Sequence, residues 1–483
     1  MVLFELLRLA AAAVPLLLQD GSSTAGFART AFRVERGEMP RVDEVEVADL
    51  IDYHHHSLPP PKAGETVALD VRCATASVAA GGATWLQIGI STARSHDLSE
   101  RPPLALALAV DCSGSMADAG KMETVHAGLR RMVERLRPED RLAIVAWSHE
   151  ARLVLPLACV GDGGAARRAI EELAPSGSTN LEAGLACAFA SLRDDDDRAG
   201  TSRRVILLTD GIANAGVTDP EEILRRARRA RDRGIDLATV GVGADLNHDL
   251  LQRLARGGRG LYHFVSDRRD LEKVFVDDLQ SLLLPVARRV RLDVVLPRGL
   301  RVDRVYGHDF EPTRSGFAVR LDDLSAGTTR VVLARLDAGT MPEPRVRIDA
   351  TLAFDPVGGA VHTVLSDSTT LRLDRCGDPD RGRHEDDAID PEVTKNVSIA
   401  LLADALHEAA RAAADGSPRR ARRILDGALA VANDCRRDGD SYRDDADVRR
   451  ILGLVRSART IVADRSDDRG RRGTVDADGV REP

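Results

Sequence analysis

The feature that most constrains the fold is a repeated change of hydrophobic period between residues 103 and 283. Four short runs are apolar nearly throughout: "LALALAV" (104–110), "RLAIVAW" (141–147), "RVILLTD" (204–210) and "GIDLATVGVG" (234–243). Strands covered on both faces read this way. Between them lie helical patterns. "KMETVHAGLRRMVERL" sets Val125, Leu129, Met132, Val133 and Leu136 on one stripe, the 3.6-residue period of an amphipathic helix. "DPEEILRRARRARDRG" has the acidic start, basic end and closing glycine of another. Alternation of this kind predicts an α/β fold, a doubly wound and mainly parallel sheet with helices on both faces.

The texture on either side is different. Residues 286–376 carry "RRVRLDVVLPRG", "GFAVRLDDL", "TTRVVLARLDAG", "RVRIDATLAFD" and "VHTVLSDSTTLRL", alternating strands joined by glycine and proline turns. "TVALDVRCATAS" and "ATWLQIGIST", within 64–98, are two more strands with no sheet of their own. A discontinuous β-sandwich-like domain, 64–98 plus 286–376, with the α/β domain (103–283) inserted into it, accommodates both. Residues 1–60 read as a leader with one short helix in "VDEVEVADLIDY", ended by "LPPP". After a polar linker, 377–392, helical segments at about 393–414, 418–435 and 445–463 predict a small helical domain, and 465–483 a disordered tail.

Composition excludes some functions. At 483 residues the chain supports two or three domains, and a net charge of -8 argues against nucleic acid as the main partner. Six cysteines (73, 112, 159, 187, 376 and 435) show no paired spacing and read as free, mostly buried thiols. The opening "MVLFELLRLAAAAVPLLL" resembles the core of an export signal, but Glu5 stands where a basic residue is needed and no A-x-A site follows. No later run reaches the length of a membrane span. A cytoplasmic location is favoured over export.

The chemistry is concentrated where the first buried strand ends, at "DCSGSM". Alternate spacing turns Asp111, Ser113 and Ser115 toward one point, and Gly114 permits the bend. Two other loops offer similar groups: Thr179 in "PSGSTNLEAGL" and Asp210 at the end of "VILLTD". Loops at the carboxyl ends of such strands share one crevice. Oxygen donors without histidine or thiolate favour a hard cation, Mg²⁺ first, with Mn²⁺ and Ca²⁺ as alternatives.

The pattern Asp111-x-Ser113-x-Ser115, then Thr179, then Asp210, resembles the von Willebrand factor A (VWA) domain family across 103–283. The resemblance implies a metal-ion-dependent adhesion site, with Ser113, Ser115 and Thr179 contacting the ion directly. Asp111 and Asp210 would act through water or as close acidic ligands. It further implies a protein ligand offering an Asp or Glu, met by loops at 112–118, 176–180 and 211–216, with Gly114, Met116, Gly177, Asn180 and Gly211 as contact positions. The leader, "FRVERGEMPRVDEVEVADLIDYHHHSLP", is similar to that of bacterial VWA proteins related to chloride-channel-activator-like and inter-alpha-trypsin-inhibitor-like chains. Such members are frequently exported lipoproteins, but no lipobox cysteine is present here.

Other candidates read as structural. Cys112 alternates away from the cluster and is expected buried. "HHH" at 54–56 reads as a loop surface, "DDDD" at 194–197 as a loop tip, and helix 225–233 as a solvated face held by Glu221–Arg225 and Glu222–Arg226 pairs. Neither site serine has an obvious histidine base, His126 and His149 included, and no phosphate loop of the form GxxxxGK[ST] occurs, so no enzyme activity is expected. The expected function is metal-dependent protein binding. The alternative is a structural or assembly scaffold, for example an adaptor to an AAA+ ATPase, with a purely structural ion. Oligomeric state is left open.

Overall fold

The computed structural model describes residues 25–93, 103–193, 201–210, 214–243, 246–265, 285–339, 345–357, 362–374, 389–434 and 445–475. The chain opens with α1 (Ala25–Glu35), a 3-10 turn (Val42–Glu44) and α2 (Val47–Asp52), then β1 (Val67–Cys73), β2 (Ser77–Ala79) and β3 (Ala83–Thr92). The inserted domain follows as β4 (Leu104–Asp111), α3 (Lys121–Arg135), β5 (Arg141–Trp147), β6 (Ala151–Cys159), α4 (Gly164–Glu171) and α5 (Leu181–Ser191). It continues with β7 (Ser202–Thr209), α6 (Pro220–Asp232), β8 (Ile235–Val242), α7 (His248–Gly257) and β9 (Arg259–Val265). Its sheet runs β6-β5-β4-β7-β8-β9, parallel except for the β5–β6 hairpin.

"LALALAV" explains how this sheet is covered. Leu104, Leu106, Leu108 and Val110 of β4 meet α3 and α4 on one face, through Val125, Leu129, Met132 and Ile170. Ala105, Ala107 and Ala109 lie on the other, under α5, α6 and α7. The smaller residues suit close helix approach. Gly184 of α5 sits directly over Trp147, where an added Cβ would fall 2.5 Å from the indole Cγ. Both faces are buried, so the run shows no polar alternation.

The outer strands are β10 (Pro285–Val295), β11 (Leu300–Tyr306), β12 (Phe310–Thr313), β13 (Gly316–Arg320), β14 (Leu324–Ser325), β15 (Thr329–Ala338), β16 (Arg345–Pro356) and β17 (Thr363–Asp374). They form two sheets, β1-β3-β15-β11 and β12-β13-β10-β16-β17-β2, with β14 beside β10. The early strands complete both. β3 lies between β1 and β15, with Ile88 opposite Val71 and Val332, and β2 pairs with β17. Ile88, Ile90 and Val332 of one sheet face Leu292, Ile348 and Phe354 of the other in one core. β11 and β12, which the alternation did not single out, lie within these sheets.

Residues 26–58 are not a leader with one helix. α1 packs on β9, with Phe32 6.0 Å from Phe264 between ring centroids, and Arg29 is buried over the Tyr262 ring. Phe27, Val45, Leu50 and Ile51 share a core with α8 (Pro391–Ala414), α9 (Pro418–Asp434) and α10 (Ala446–Val475). α10 continues to Val475, so residues 465–475 are helical where the composition suggested a disordered tail.

The triple histidine is not a loop surface either. His54 and His56 are buried: His54 Nδ1 lies 3.3 Å from Asp447, and His56 lies between Asn396 Oδ1 and the Ile51 carbonyl, each 3.1 Å away. The expected pairs along α6 are replaced by cross-helix ones. Glu221 takes Arg253 of α7, and Arg226 takes Glu182 of α5. Of the described cysteines, Cys112 is buried, Cys73 and Cys187 half-buried, and Cys159 exposed, against the expectation of mostly buried thiols. The first 24 residues, Asp194–Asp197, Gly211, Cys376, Cys435 and residues 476–483 lie outside the described residues.

Candidate functional site

β4 and β7 are neighbours, but the connections that follow them leave to opposite faces of the sheet, α3 to one and α6 to the other. Such a switch point opens a crevice at the carboxyl ends of the strands. Asp111 ends β4, and Asp210 follows the last residue of β7. Both carboxylates are buried.

Asp111 is held by neutral donors. The Ser113 N–H donates to its Oδ1 at 2.8 Å and Thr209 Oγ1 to its Oδ2 at 2.6 Å. Burial pushes its carboxyl up to about 6, with the charge of Asp210 adding to the rise while the Thr209 and Ser113 hydrogen bonds oppose it. A chain of oxygens continues outward. Ser113 Oγ lies 3.2 Å from Ser115 Oγ, which donates to Asp210 Oδ1 at 2.8 Å. The second oxygen of Asp210 accepts from Lys121 Nζ at 2.5 Å.

The loops are stitched through their backbones. Gly114 N–H donates to the Gly177 carbonyl at 3.0 Å, and Ser176 N–H to the Cys112 carbonyl at 2.5 Å. Thr179 is buried, and its main chain closes on the 214–216 loop: its N–H donates to Asn214 Oδ1 at 2.8 Å and its carbonyl accepts from Asn214 N at 3.0 Å. Gly177 has φ of +75°, and a Cβ there would lie 2.9 Å from His149 Nδ1. Conformation and space both require glycine. The loop is thereby drawn against the end of β5.

The contact positions divide. Gly114 and Gly177 are exposed. Asn180 caps α5, accepting from Ala183 N at 3.2 Å and donating to the His149 carbonyl at 3.2 Å. Met116, expected to face a partner, is instead fully buried among Val125, Leu129 and Ile170. The short 3-10 turn over Gly114–Gly120 rotates it inward. It anchors the loop.

The donor set fits a hard divalent cation. Among the described residues no three His, Cys, Asp or Glu side chains gather at one point. This cluster consists of two carboxylates and several hydroxyls, the oxygen set that Mg²⁺ accepts and Zn²⁺ does not prefer. Asp111 in particular is a buried carboxylate whose hydrogen-bond partners among the described residues are all neutral.

A family model described as "von Willebrand factor type A domain" matches residues 105–277. Residues 105–277 form a VWA domain. The wider chain is 27% identical to Escherichia coli YfbK over 281 residues, and 28% identical to Synechocystis sll0103 over 300. These alignments take in 56% and 60% of this chain, and 48% and 70% of those proteins. Mouse inter-alpha-trypsin inhibitor heavy chain H2 is 24% identical over 302 residues, 61% of this chain and 29% of that one. The chain thus spans about half of YfbK and under a third of the heavy chain. Among solved structures, a VWA protein from Catenulispora acidiphila aligns over 77% of this chain and 87% of its own, with TM-score 0.54 and 19% identity, a likeness of fold.

Three residues of the VWA crevice escaped the motif. Thr209 and Asn214 bind Asp111 and Thr179, and Lys121 binds Asp210. Thr209 had a visible signal, a hydroxyl closing an otherwise apolar run beside Asp210. Lys121 had none, since the first residue of an amphipathic helix is commonly charged. His126 reaches the Leu173 carbonyl at 3.0 Å and His149 the Ser148 hydroxyl at 3.4 Å. Cys112 points into the core, its thiol pushed up to about 12 by burial and then by Asp111. Among the described residues no helix is long and apolar enough to cross a membrane.

Proposed function

We propose that this protein is a metal-dependent protein-binding module, without enzymatic activity, in which a divalent cation bridges the VWA crevice to an acidic side chain of a partner protein. Ser113, Ser115 and Thr179 would hold the ion through hydroxyls, and Asp111 and Asp210 would complete its surroundings directly or through water. Mg²⁺ is the ion the donor set favours, with Mn²⁺ and Ca²⁺ as alternatives. A bound ion supplies an electrophilic centre with exchangeable water positions, one of which a partner's Asp or Glu can take.

The observation that carries this reading is the environment of Asp111. A buried carboxylate ordinarily has a charged partner, and this one has an amide and a hydroxyl. Neutral hydroxyls beside it leave most of an ion's charge unquenched, which favours an external carboxylate in a site of reduced dielectric. The exposed Gly114 and Gly177 flank the opening without side chains to obstruct it.

The test is capture of binding proteins from native lysate by the full chain in Mg²⁺, in EDTA, and with Thr179→Ala in Mg²⁺. Recovery should require Mg²⁺ and fall roughly tenfold or more in the variant, as for other disturbed metal sites. Equal recovery in all three conditions would discard metal-bridged recognition and leave the scaffold reading.

A further inference from the structure

The crevice holds a cation of its own. Lys121, the first residue of α3, brings Nζ to 2.5 Å from Asp210 Oδ2 and 3.2 Å from the Ser115 carbonyl. The Asp210 side chain is fully buried, and that of Lys121 is 20% exposed. The stem of the lysine runs past Gly243, which follows β8 with φ of +90° and whose missing Cβ would lie 3.0 Å from Lys121 Cε. A bare backbone from β8 therefore makes room for the side chain. The two oxygens of Asp210 are divided: Oδ2 faces an ammonium and Oδ1 accepts from the Ser115 hydroxyl.

We propose that Lys121 is a tethered counter-charge that prevents Asp210 from neutralising a bound divalent ion, so that the crevice retains positive charge for a partner's carboxylate. This rests on the metal-dependent reading above. Its logic is a charge count over the groups joined in the cluster. Asp111 and Asp210 carry two negative charges and Lys121 one positive, so a divalent ion held among them leaves one positive charge over. Without the ammonium the two carboxylates would offset more of the ion's charge, and an incoming anion would meet a weaker attraction. The lysine thus weakens the chain's hold on the metal and strengthens the metal-loaded chain's hold on an acidic ligand. Opposite effects on two ligands distinguish this role from a structural one, since a mere prop for Asp210 would weaken both.

The test uses Mn²⁺ alone as the first probe, titrated by calorimetry into the full chain and into Lys121→Met, Lys121→Arg and Asp111→Ala. Acetate is the second probe, titrated into each Mn²⁺-loaded protein and followed by water-proton relaxation. Removing one charge a few ångströms away through an intermediate dielectric should tighten Mn²⁺ roughly tenfold and weaken acetate by a similar factor in Lys121→Met. Lys121→Arg, which keeps the charge, should hold both affinities within about threefold of the parent. Unchanged or weaker Mn²⁺ binding in Lys121→Met would overturn the counter-charge role while leaving the metal site standing. Equal Mn²⁺ binding by the parent and Asp111→Ala would instead remove the site itself.

Discussion

Two carboxylates are buried at opposite ends of the strands of one sheet, and their surroundings differ completely. Asp236, at the start of β8, receives three guanidinium groups: Arg204 at 3.4 Å, Arg259 at 3.0 Å and Arg288 at 2.7 Å. Two of these come from neighbouring strands, β7 and β9, and the third from β10 of the outer sandwich. Asp111, at the end of β4, has an amide and a hydroxyl. The first carboxylate is over-compensated and joins two domains. The second is under-compensated and lies in a crevice lined with hydroxyls. The same residue type at equal burial is structural where positive charge converges on it, and a candidate for binding where charge is withheld.

The largest effect expected from perturbing this arrangement is at Asp236. Its replacement by alanine leaves three arginines around an empty place, Arg204 among them and itself buried. Removing one partner of a buried ionic cluster costs about 3–5 kcal/mol, to be measured by urea unfolding of the full chain. Mn²⁺ binding by the folded variant should be unchanged. A loss below about 1 kcal/mol, the scale of an exposed pair, would break the comparison at its structural end.

An intermediate effect is expected from His56, a buried polar group of the N-terminal segment. Burial, and then the charge of Lys395, lowers its pKa from 6.5 to about 4; His54 adds to the fall and Glu392 opposes it. Because the folded value is depressed, the unfolded chain takes up the proton first. The stability contribution is complete above pH 6.5 and declines as the pH falls toward 4, by an amount on the order of 3 kcal/mol. In His56→Gln the acid slope measured across that window should be shallower. His54, His248 and His308, also depressed chiefly by burial, would keep part of it. An unaltered slope would remove His56 from the account.

The smallest change in stability is expected where function is assigned. Asp111→Asn retains the shape and replaces a carboxylate with neutral partners by a neutral amide, so stability should move by less than about 1 kcal/mol. Mg²⁺ binding, followed by calorimetry, should nevertheless disappear. A variant that unfolds, or that binds Mg²⁺ like the parent, would make Asp111 resemble Asp236 and erase the distinction.

Some of this architecture is written in local pattern. Burial on both faces of β4 follows from "LALALAV", and the Asp111–Ser113–Ser115 spacing places three oxygen donors on one turn whatever the rest of the chain does. The meeting of that turn with Asp210 follows from strand–helix alternation, because parallel strands deliver their carboxyl ends to one side of the sheet; the 176–180 loop, which precedes α5, is joined to it by the Gly114–Gly177 backbone hydrogen bond. A discontinuous sandwich was legible for a related reason: strands 67–92 have apolar alternation and too few neighbours in sequence to form a stable sheet.

Other features depend on groups far apart in the chain, and pattern has no access to them. Met116 looks like a loop residue until the 3-10 turn directs it into the core beside α3. "HHH" looks solvated until Asn396 and Asp447, more than 300 positions away, cover two of its three rings. Lys121 is an ordinary helix-opening residue until β8 offers a glycine for its stem to pass, 122 positions later. The sequence by itself determined the alternation of strands and helices and the hydroxyl and carboxylate donors of the crevice, because periodicity and short spacings act within a few residues. Only tertiary structure decided which buried carboxylate received three arginines, which one lysine and which no cation among the described residues, because charge is compensated through space by whichever elements pack there.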